Sequence, residues 1–169
     1  MDYSLMRRLL LGVVLLASWP LLFAQTSNAN IDRVVVFKRE RKLVLFSHGK
    51  ELHSYKIALG SEPVGPKARP GDHRTPEGGY TLDSGNPNSH FYKALHISYP
   101  NLKDIAAARK LGVSAGGDIM LHGLPKEYAW VGNAQTLRDW TDGCIAVTNE
   151  EMDEIWKLVR VGTPIEIKP

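Results

Sequence analysis

The sequence predicts a β-rich α+β domain, in the form of a β-sandwich with a few flanking helices. Short runs of β-branched and aromatic residues recur along the chain, whereas only two segments combine helical periodicity with capping residues. The chain has 169 residues, which suits one domain. Its content of 43% hydrophobic and 23% charged residues excludes intrinsic disorder and collagen-like repetition.

The N-terminal residues 1–29 are predicted to be a secretory signal peptide. Arg7 and Arg8 stand directly before the uncharged apolar residues 9–23, and this pattern is typical of export signals. A membrane-spanning helix needs roughly 20 apolar residues, so a cleaved signal is favoured over an uncleaved anchor. The two candidate cleavage points follow Ala24 and Ala29.

Residues 30–169 are then the working domain, and strands account for most of its predicted structure. The charged stretch 38–42 is expected to be the turn of a hairpin. Residues 60–79 hold five glycines and four prolines, which predicts a long loop that is either a rigid turn or part of a functional site. The predicted strands cover residues 34–37, 43–46, 52–59, 80–82, 94–99, 119–121 and 164–167.

Two helices are predicted from capping residues at their ends. Asn101 can cap a helix that ends before Gly112. Thr148 and Glu151 have the spacing of a capping box, which predicts a second helix over residues 150–161.

The single cysteine, Cys144, is the first candidate for chemistry. One cysteine excludes an intramolecular disulfide and a multi-cysteine zinc site. A lone cysteine is often a small buried hydrophobic residue, and spacing alone leaves that role and a nucleophile equally open. The preceding Gly143 favours the nucleophile, because a glycine lets backbone N–H groups approach a substrate carbonyl.

A thiol nucleophile needs a base, and His122 is the best placed of the six histidines. It ends an apolar strand, precedes a glycine and lies 22 residues before the cysteine. His48 and His53 flank a predicted turn and are assigned structural roles. A metal site formed by His90, His96, His122 and Asp118 is a weaker alternative, because these residues lack the close spacing of zinc ligands. No metal or cofactor is therefore expected.

Three segments of the sequence resemble the L,D-transpeptidase catalytic domain, also called the YkuD domain, of bacterial cell-wall enzymes. The first is the predicted hairpin followed by Tyr-Lys-Ile-Ala-Leu-Gly at 55–60. The second is Gly-Asp-His-Arg-Thr-Pro-Glu-Gly-Gly-Tyr at 71–80. The third is Met-Leu-His-Gly at 120–123, followed by Thr-Asp-Gly-Cys-Ile at 141–145. Together they span nearly all of residues 31–169.

The resemblance implies a YkuD-like β-sandwich and a role for each matching residue. Cys144 would be the nucleophile and His122 the general base and acid, with the imidazole oriented by the backbone carbonyl of Gly123. The backbone N–H groups of Gly143 and Cys144 would form the oxyanion hole. The substrate would be a peptidoglycan stem peptide, and carbapenem-type β-lactams would acylate the cysteine.

The sequence has Asp142 and Ala146 where the family pattern Ser-His-Gly-Cys-Ile-Arg has histidine and arginine. The missing arginine removes a possible anchor for a substrate carboxylate, and Arg74, Arg138 or Lys67 are candidate replacements. Substrate contacts are also predicted for Asp142 and for a group of aromatic and histidine side chains, His96, Tyr99, Trp130 and Trp140.

The predicted function is an exported cysteine-dependent peptidoglycan L,D-transpeptidase in cell-wall crosslinking or remodelling. An L,D-carboxypeptidase or an amidase with the same Cys-His site is the alternative within the same chemistry. A non-catalytic peptidoglycan-binding domain is the alternative of another class. The net charge of +3 is too small to indicate nucleic acid binding. We expect a monomer in the periplasm or at the cell wall, with membrane contact only through the export signal.

Overall fold

A computed structural model describes residues 30–169 of the chain. The predicted signal peptide and its two cleavage points lie outside the described residues and stay predictions. No helix within 30–169 has the length and apolar character needed to cross a membrane.

Residues 30–169 form one mixed sheet of eight strands with two α-helices and a 3-10 helical segment, which confirms the predicted β-rich α+β class. The strand order is β3-β2-β1-β8-β4-β5-β6-β7. In chain order the elements are β1 (Arg33–Phe37), β2 (Lys42–Ser47), β3 (Lys50–Lys56), β4 (Gly78–Ser89), β5 (Tyr92–Ile97), α1 (Leu102–Lys110), β6 (Met120–His122), the 3-10 segment (Lys126–Leu137), β7 (Ile145–Ala146), α2 (Asn149–Leu158) and β8 (Pro164–Lys168).

Strand β4 joins the two halves of this sheet. Its first residues pair with β8, and the later part pairs with β5 through two register shifts. Ala58 and Ala146 exchange backbone hydrogen bonds of 3.0 and 2.9 Å, so the chain after β3 meets β7 at the opposite end of the strand order. The sheet therefore curls until its two ends meet, and the β6–β7 pair lies where they meet.

The hairpin of β1 and β2 forms as predicted, and it supplies the centre of the core. Val34, Val36, Leu43 and Leu45 are fully buried in the main core. The alternate residues Val35 and Val44 are buried too, so this hairpin is covered on both faces. One residue of the predicted turn behaves differently: Lys38 has an exposed fraction of only 2%. Charge alone predicts a solvated turn, whereas the side chain here is buried by contacts to a distant loop described below.

Both predicted helix caps are present. The Asn101 side chain accepts hydrogen bonds from the backbone of α1, and Thr148 and Glu151 form the reciprocal bonds of a capping box at α2. Helix α2 ends at Leu158, before the predicted end at residue 161. The reason is Val159, which adopts an extended conformation and is buried.

Two elements were not predicted from the sequence, the 3-10 segment and strand β7. The 3-10 segment has no side-chain cap and is broken at Gly132, where φ is +50°. Strand β7 has only two residues. Strand β4 also continues to Ser89 through a sequence rich in Gly, Asn and Pro, because its exposed end pairs with β5 despite that composition.

Candidate active site

Cys144 and His122 are brought together by two neighbouring parallel strands. Leu121 pairs with Ile145 and His122 pairs with Ala146. Cys144 is the residue before β7 and lies two residues before Ala146. Side chains two residues apart along a strand point to the same face, so Cys144 lies on the same side of the strand pair as His122. Both side chains line one cavity of about 530 Å3.

The imidazole of His122 is buried and fixed by the residue that follows it. Its Nδ1 lies 2.6 Å from the carbonyl oxygen of Gly123. A carbonyl oxygen can only accept, so Nδ1 carries the proton and Nε2 is left as the basic atom. This contact is the one that the family resemblance implies for Gly123.

Two aromatic rings enclose this imidazole. The ring centre of Phe91 is 4.7 Å from that of His122, and the ring centre of Trp140 is 6.0 Å from it. His122 is 3% exposed as a result. Burial lowers the pKa of His122, against the opposing effect of its bond to Gly123. The imidazole is therefore neutral at pH 7 and can act as a base.

The thiol of Cys144 is partly buried, and its Sγ lies 3.7 Å from the carbonyl oxygen of Asp118. Burial raises the pKa of Cys144, and the charge of Asp142 adds to that effect, while a hydrogen bond from the Met120 backbone opposes it. The cavity thus holds a protonated thiol and a neutral imidazole. A base would therefore have to take the thiol proton before the sulfur could act as a nucleophile.

The segment that carries the cysteine is held by Thr141. The Thr141 hydroxyl donates to the carbonyl of Cys144 at 2.8 Å and accepts from the N–H of Gly143 at 3.1 Å. In this structure the Gly143 N–H is thus engaged by Thr141, and the Cys144 N–H is the other donor that the sequence predicts for an oxyanion hole.

The long loop 60–79 packs directly against this segment. Gly143 has φ of +130°, and a Cβ added to it would lie 2.6 Å from the carbonyl oxygen of Arg74. Only glycine fits this position without displacing the loop. The Gly60 N–H donates to the hydroxyl of Thr75 at 3.0 Å, which joins the start of the loop to its end.

A buried lysine fastens the loop to the sheet. The Nζ of Lys38 donates to the carbonyls of Gly65 and Thr75 at 2.7 and 2.9 Å, and it forms an ion pair with Glu77 at 2.7 Å. The loop is therefore held firmly against the segment that carries Cys144, and none of its residues lines the cavity itself.

Asp142, at the position where the family has histidine, is paired with a histidine from the loop. Its carboxylate lies 2.8 Å from Nδ1 of His73. The Asp142 side chain is 92% exposed and lines the cavity beside Cys144.

The other predicted substrate-binding residues divide into two groups. His96 and Trp140 line the catalytic cavity, and Arg138 lines an adjoining one. Tyr99 is 3% exposed and its hydroxyl donates to the carbonyl of Ala115, so it is a core residue and cannot touch a substrate. Arg74 does not line the cavity either; its guanidinium lies beside Gly65.

Phe91 and Asp118 are among the cavity residues that the sequence did not predict to contact a substrate. Phe91 lies in the turn between β4 and β5, and Asp118 precedes β6. No local pattern marks Phe91, because only the pairing of β5 with β6 brings that turn to His122. Asp118 has φ of +57°, and an aspartate between glycines and an apolar strand is a weak signal of such a turn.

No group of three or more His, Cys, Asp or Glu side chains is placed to hold a metal ion in the part of the chain that the structure describes. His96 is paired with Asp83 at 2.6 Å instead.

Comparison with known proteins agrees with this fold. A sequence model of the L,D-transpeptidase catalytic domain, YkuD, matches residues 31–167. A curated relative, "Putative L,D-transpeptidase YafK" of Escherichia coli K12, is 35% identical over 133 residues, which are 75% of this chain and 46% of that protein. The chain thus spans about half the length of the curated relatives it matches.

Solved structures share the architecture. The helical cell shape determining protein Pgp2 from Campylobacter jejuni matches with a TM-score of 0.63 and 26% identity, over 82% of this chain and 48% of that one. L,D-transpeptidase LdtMt1 in complex with imipenem matches with a TM-score of 0.52 and 19% identity, over 80% of this chain and 58% of that one, and this likeness concerns the fold alone. The chain belongs to the L,D-transpeptidase catalytic domain family.

Proposed function

We propose that this protein is an exported cysteine-dependent L,D-transpeptidase that acts on peptidoglycan stem tetrapeptides through a thioester acyl-enzyme. The observation that carries the proposal is the shared cavity of Cys144 and His122, with Nδ1 of the imidazole held by Gly123. Family membership supports peptidoglycan as the substrate.

The first half-reaction needs one base and one nucleophile. Nε2 of His122 takes the proton of the Cys144 thiol as Sγ attacks the carbonyl of the third stem residue. The bond between that carbonyl and the nitrogen of the fourth, D-configured residue breaks. The leaving amine takes the proton from Nε2, and the acyl group remains on sulfur as a thioester.

The second half-reaction reverses these roles. An amine of a neighbouring stem peptide attacks the thioester and gives its proton to Nε2 of His122. Sγ leaves and recovers that proton, so Cys144 is regenerated as a thiol. The backbone N–H of Cys144 stabilises the negative oxygen of both tetrahedral intermediates.

The decisive experiment replaces the nucleophile. Cys144→Ala is expected to reduce turnover of purified muropeptides to background while it leaves the far-UV circular dichroism spectrum unchanged, because the cysteine side chain contributes little to the core. Cys144→Ser provides a second isosteric control. Turnover by Cys144→Ala at the wild-type rate would disprove the assignment of the nucleophile.

The products distinguish the possible acceptors. Crosslinked dimers indicate transfer to an amine, whereas trimmed monomers alone would make the protein an L,D-carboxypeptidase. Release of a wall-linked protein would make it an amidase, and binding without any product would make it a non-catalytic binding domain. Ala146, which is fully buried, stands where the family has an arginine. Because that possible anchor for a substrate carboxylate is missing, each of these outcomes has to be tested.

A carbapenem gives a test that needs no muropeptide. Imipenem is expected to add its mass to the wild-type protein and not to Cys144→Ala, since its strained carbonyl would form the same thioester. Intact-mass spectrometry measures this directly, and an unmodified wild-type protein would count against a reactive thiol. Export is tested separately, by the cleavage and periplasmic recovery of the expressed full chain.

A further inference from the structure

Two cavities of opposite charge meet at the active site and share one aromatic wall. Phe91 and Trp140 line both the catalytic cavity and an adjoining cavity of about 590 Å3. The adjoining cavity is otherwise bounded by the 3-10 segment and by Leu124 and Pro125. A substrate attached to Cys144 can thus extend across this wall from one cavity into the other.

The catalytic cavity carries negative charge. Asp118 and Asp142 line it, and no lysine or arginine does so within residues 30–169. Asp118 forms no ion pair with another described residue. Asp142 contacts only the imidazole of His73 and remains 92% exposed, so its charge is available to a ligand.

The adjoining cavity carries positive charge. Arg138 is the only arginine or lysine among its described lining residues, and no acidic side chain lines it. Arg138 is exposed and takes part in no ion pair within the described chain. A guanidinium in this state is suited to bind a carboxylate in a bidentate manner.

The other two candidates for a carboxylate anchor line neither of the two cavities. Lys67 is buried and forms an ion pair with Asp72 at 2.8 Å, and the Arg74 guanidinium lies beside Gly65. Arg138 is therefore the remaining candidate to replace the arginine that the family has at position 146.

The wall between the cavities is fixed in place. Nε1 of Trp140 donates to the Gln135 side chain at 3.1 Å, and Gln135 is buried and donates to the carbonyl of Ala146 at 3.3 Å. This chain of bonds ties the wall to β7, the strand that follows Cys144. The two cavities thus keep a constant position relative to the thiol.

We propose that the groove recognises the charges of its donor peptide on two sides: Asp118 and Asp142 bind an ammonium group on the side chain of the third residue, and Arg138 binds a carboxylate on the second residue. The proposal rests on the proposed function for the identity of the ligand, a stem peptide. The carbonyl attacked by Cys144 belongs to the third residue, which places that residue's side chain in the catalytic cavity. The preceding residue then lies across the Phe91–Trp140 wall, beside Arg138.

The test uses four synthetic tetrapeptides and the Cys144→Ala protein, so that binding is measured without turnover. The parent peptide has glutamate in the second position, lysine in the third and a D-residue in the fourth. The other three carry Nε-acetyl-lysine, glutamine in place of the glutamate, or both changes. Isothermal titration at low salt gives four dissociation constants, because exposed charge pairs weaken when salt screens them.

We expect each loss of charge to weaken binding about fivefold, which is the range of a partly exposed charge pair. When Asp118→Asn and Asp142→Asn are added to the Cys144→Ala protein, acetylation of the lysine should no longer weaken binding. The change of glutamate to glutamine should still weaken binding of the peptide to that variant. Addition of Arg138→Gln should do the opposite. Arg160→Gln, which removes an exposed charge after α2, should change neither ratio.

Three outcomes would overturn the proposal. They are equal binding of all four peptides, an equal change of both ratios by either variant, and no measurable binding of any peptide. A merely structural role of these side chains would weaken every peptide alike and would not move the ratios. Failure of the proposed function is seen elsewhere, as a wild-type protein that neither takes up imipenem nor turns over muropeptides.

Discussion

Phe91 and Trp140 shield the imidazole of His122 from water. Nothing in the sequence around His122 indicates these contacts. The ring of Phe91 is itself 36% exposed, so it acts as a partial lid over the base. Burial lowers the pKa of His122, so the imidazole is neutral at pH 7. In the proposed mechanism, proton transfer from Cys144 to His122 then depends on this enclosure as well as on the two residues themselves.

Phe91→Ala is expected to shift the acid limb of the rate profile to higher pH. Water that replaces the ring would solvate the imidazolium and raise the pKa of His122 toward the ordinary value of about 6.5. The rate of imipenem acylation, measured from pH 5 to pH 8, reports this limb as a property of the Cys-His pair. Phe46→Ala, which removes a ring from β2, is the matched control, and an unmoved limb in Phe91→Ala would contradict the enclosure argument.

Gly143→Ala is expected to abolish acylation and to destabilise the fold by about 2–3 kcal/mol, from left-handed strain and overpacking together. The added methyl group would meet the backbone carbonyl of Arg74, which cannot rotate away. Gly49→Ala separates the two causes, because Gly49 has φ of +78° and no atom within 4 Å of an added Cβ. Urea unfolding should show only about 1 kcal/mol for Gly49→Ala, and equal losses in both variants would remove the steric explanation.

At the scale of elements, two charged groups hold the loop 60–79 in place behind the segment that carries Cys144. Lys38 reaches it from the β1–β2 turn, and Asp72 accepts hydrogen bonds within it from the N–H groups of Ala68, Arg69 and Arg74. Burial lowers the pKa of Lys38, against the opposing effect of Glu77. The burial of this lysine is therefore maintained by three bonds, and each of them ends on the loop.

Lys38→Met is expected to destabilise the protein by about 3 kcal/mol, because it strands the Glu77 carboxylate and two carbonyls in a buried setting. Lys42→Met is the matched control, since the pair of Lys42 with Glu51 is exposed on both sides and is worth at most about 1 kcal/mol. Urea denaturation of both variants gives the comparison. Similar losses in the two would mean that the loop is not held through Lys38.

Sequence patterns predicted the features that depend on neighbouring residues. They did not predict the contacts between residues that are far apart in the sequence. The β1–β2 hairpin, the Asn101 cap and the Thr148 capping box follow from neighbours within a few residues, and all three formed as predicted. Tyr99 and Arg74 illustrate the limit. Both have side chains suited to binding, yet strand pairing and loop packing direct them to the core and to Gly65, and only the complete fold determines that.

At the scale of the whole molecule, one sheet includes both the loop's anchor and the catalytic strands. Strand β4 pairs with β8 on one side and β5 on the other, and Ala58 bonds to Ala146 where the ends of the sheet meet. Contacts of the loop are thus expected to contribute to the global free energy of unfolding and not to a local equilibrium alone.

Acid stability gives a measure of that coupling. Burial would raise the pKa of Asp72, but bonds from Ala68, Lys67 and other loop residues outweigh it and lower the pKa to about 2. The unfolded carboxyl titrates near 3.9, so the stabilisation is complete at neutral pH and is lost as the pH falls from about 4 to about 2. Asp72→Asn should therefore cost about 2 kcal/mol at pH 7 and almost nothing at pH 2.

Urea unfolding at the two pH values measures this difference. Glu62→Gln, an exposed carboxylate in the same loop, should behave like the wild type at both. If Asp72→Asn lowers the free energy of unfolding equally at pH 7 and pH 2, the substitution acts through packing and not through charge.

The burial of Cys144 has a consequence for the lifetime of the enzyme. Peroxides and disulfides react with thiolate far faster than with thiol, and the raised pKa keeps the resting sulfur protonated. Under the proposed mechanism, Cys144 therefore meets oxidants as an unreactive thiol and becomes a thiolate only when His122 takes its proton. The burial of Cys144 thus protects the thiol from oxidation and keeps it protonated before the reaction.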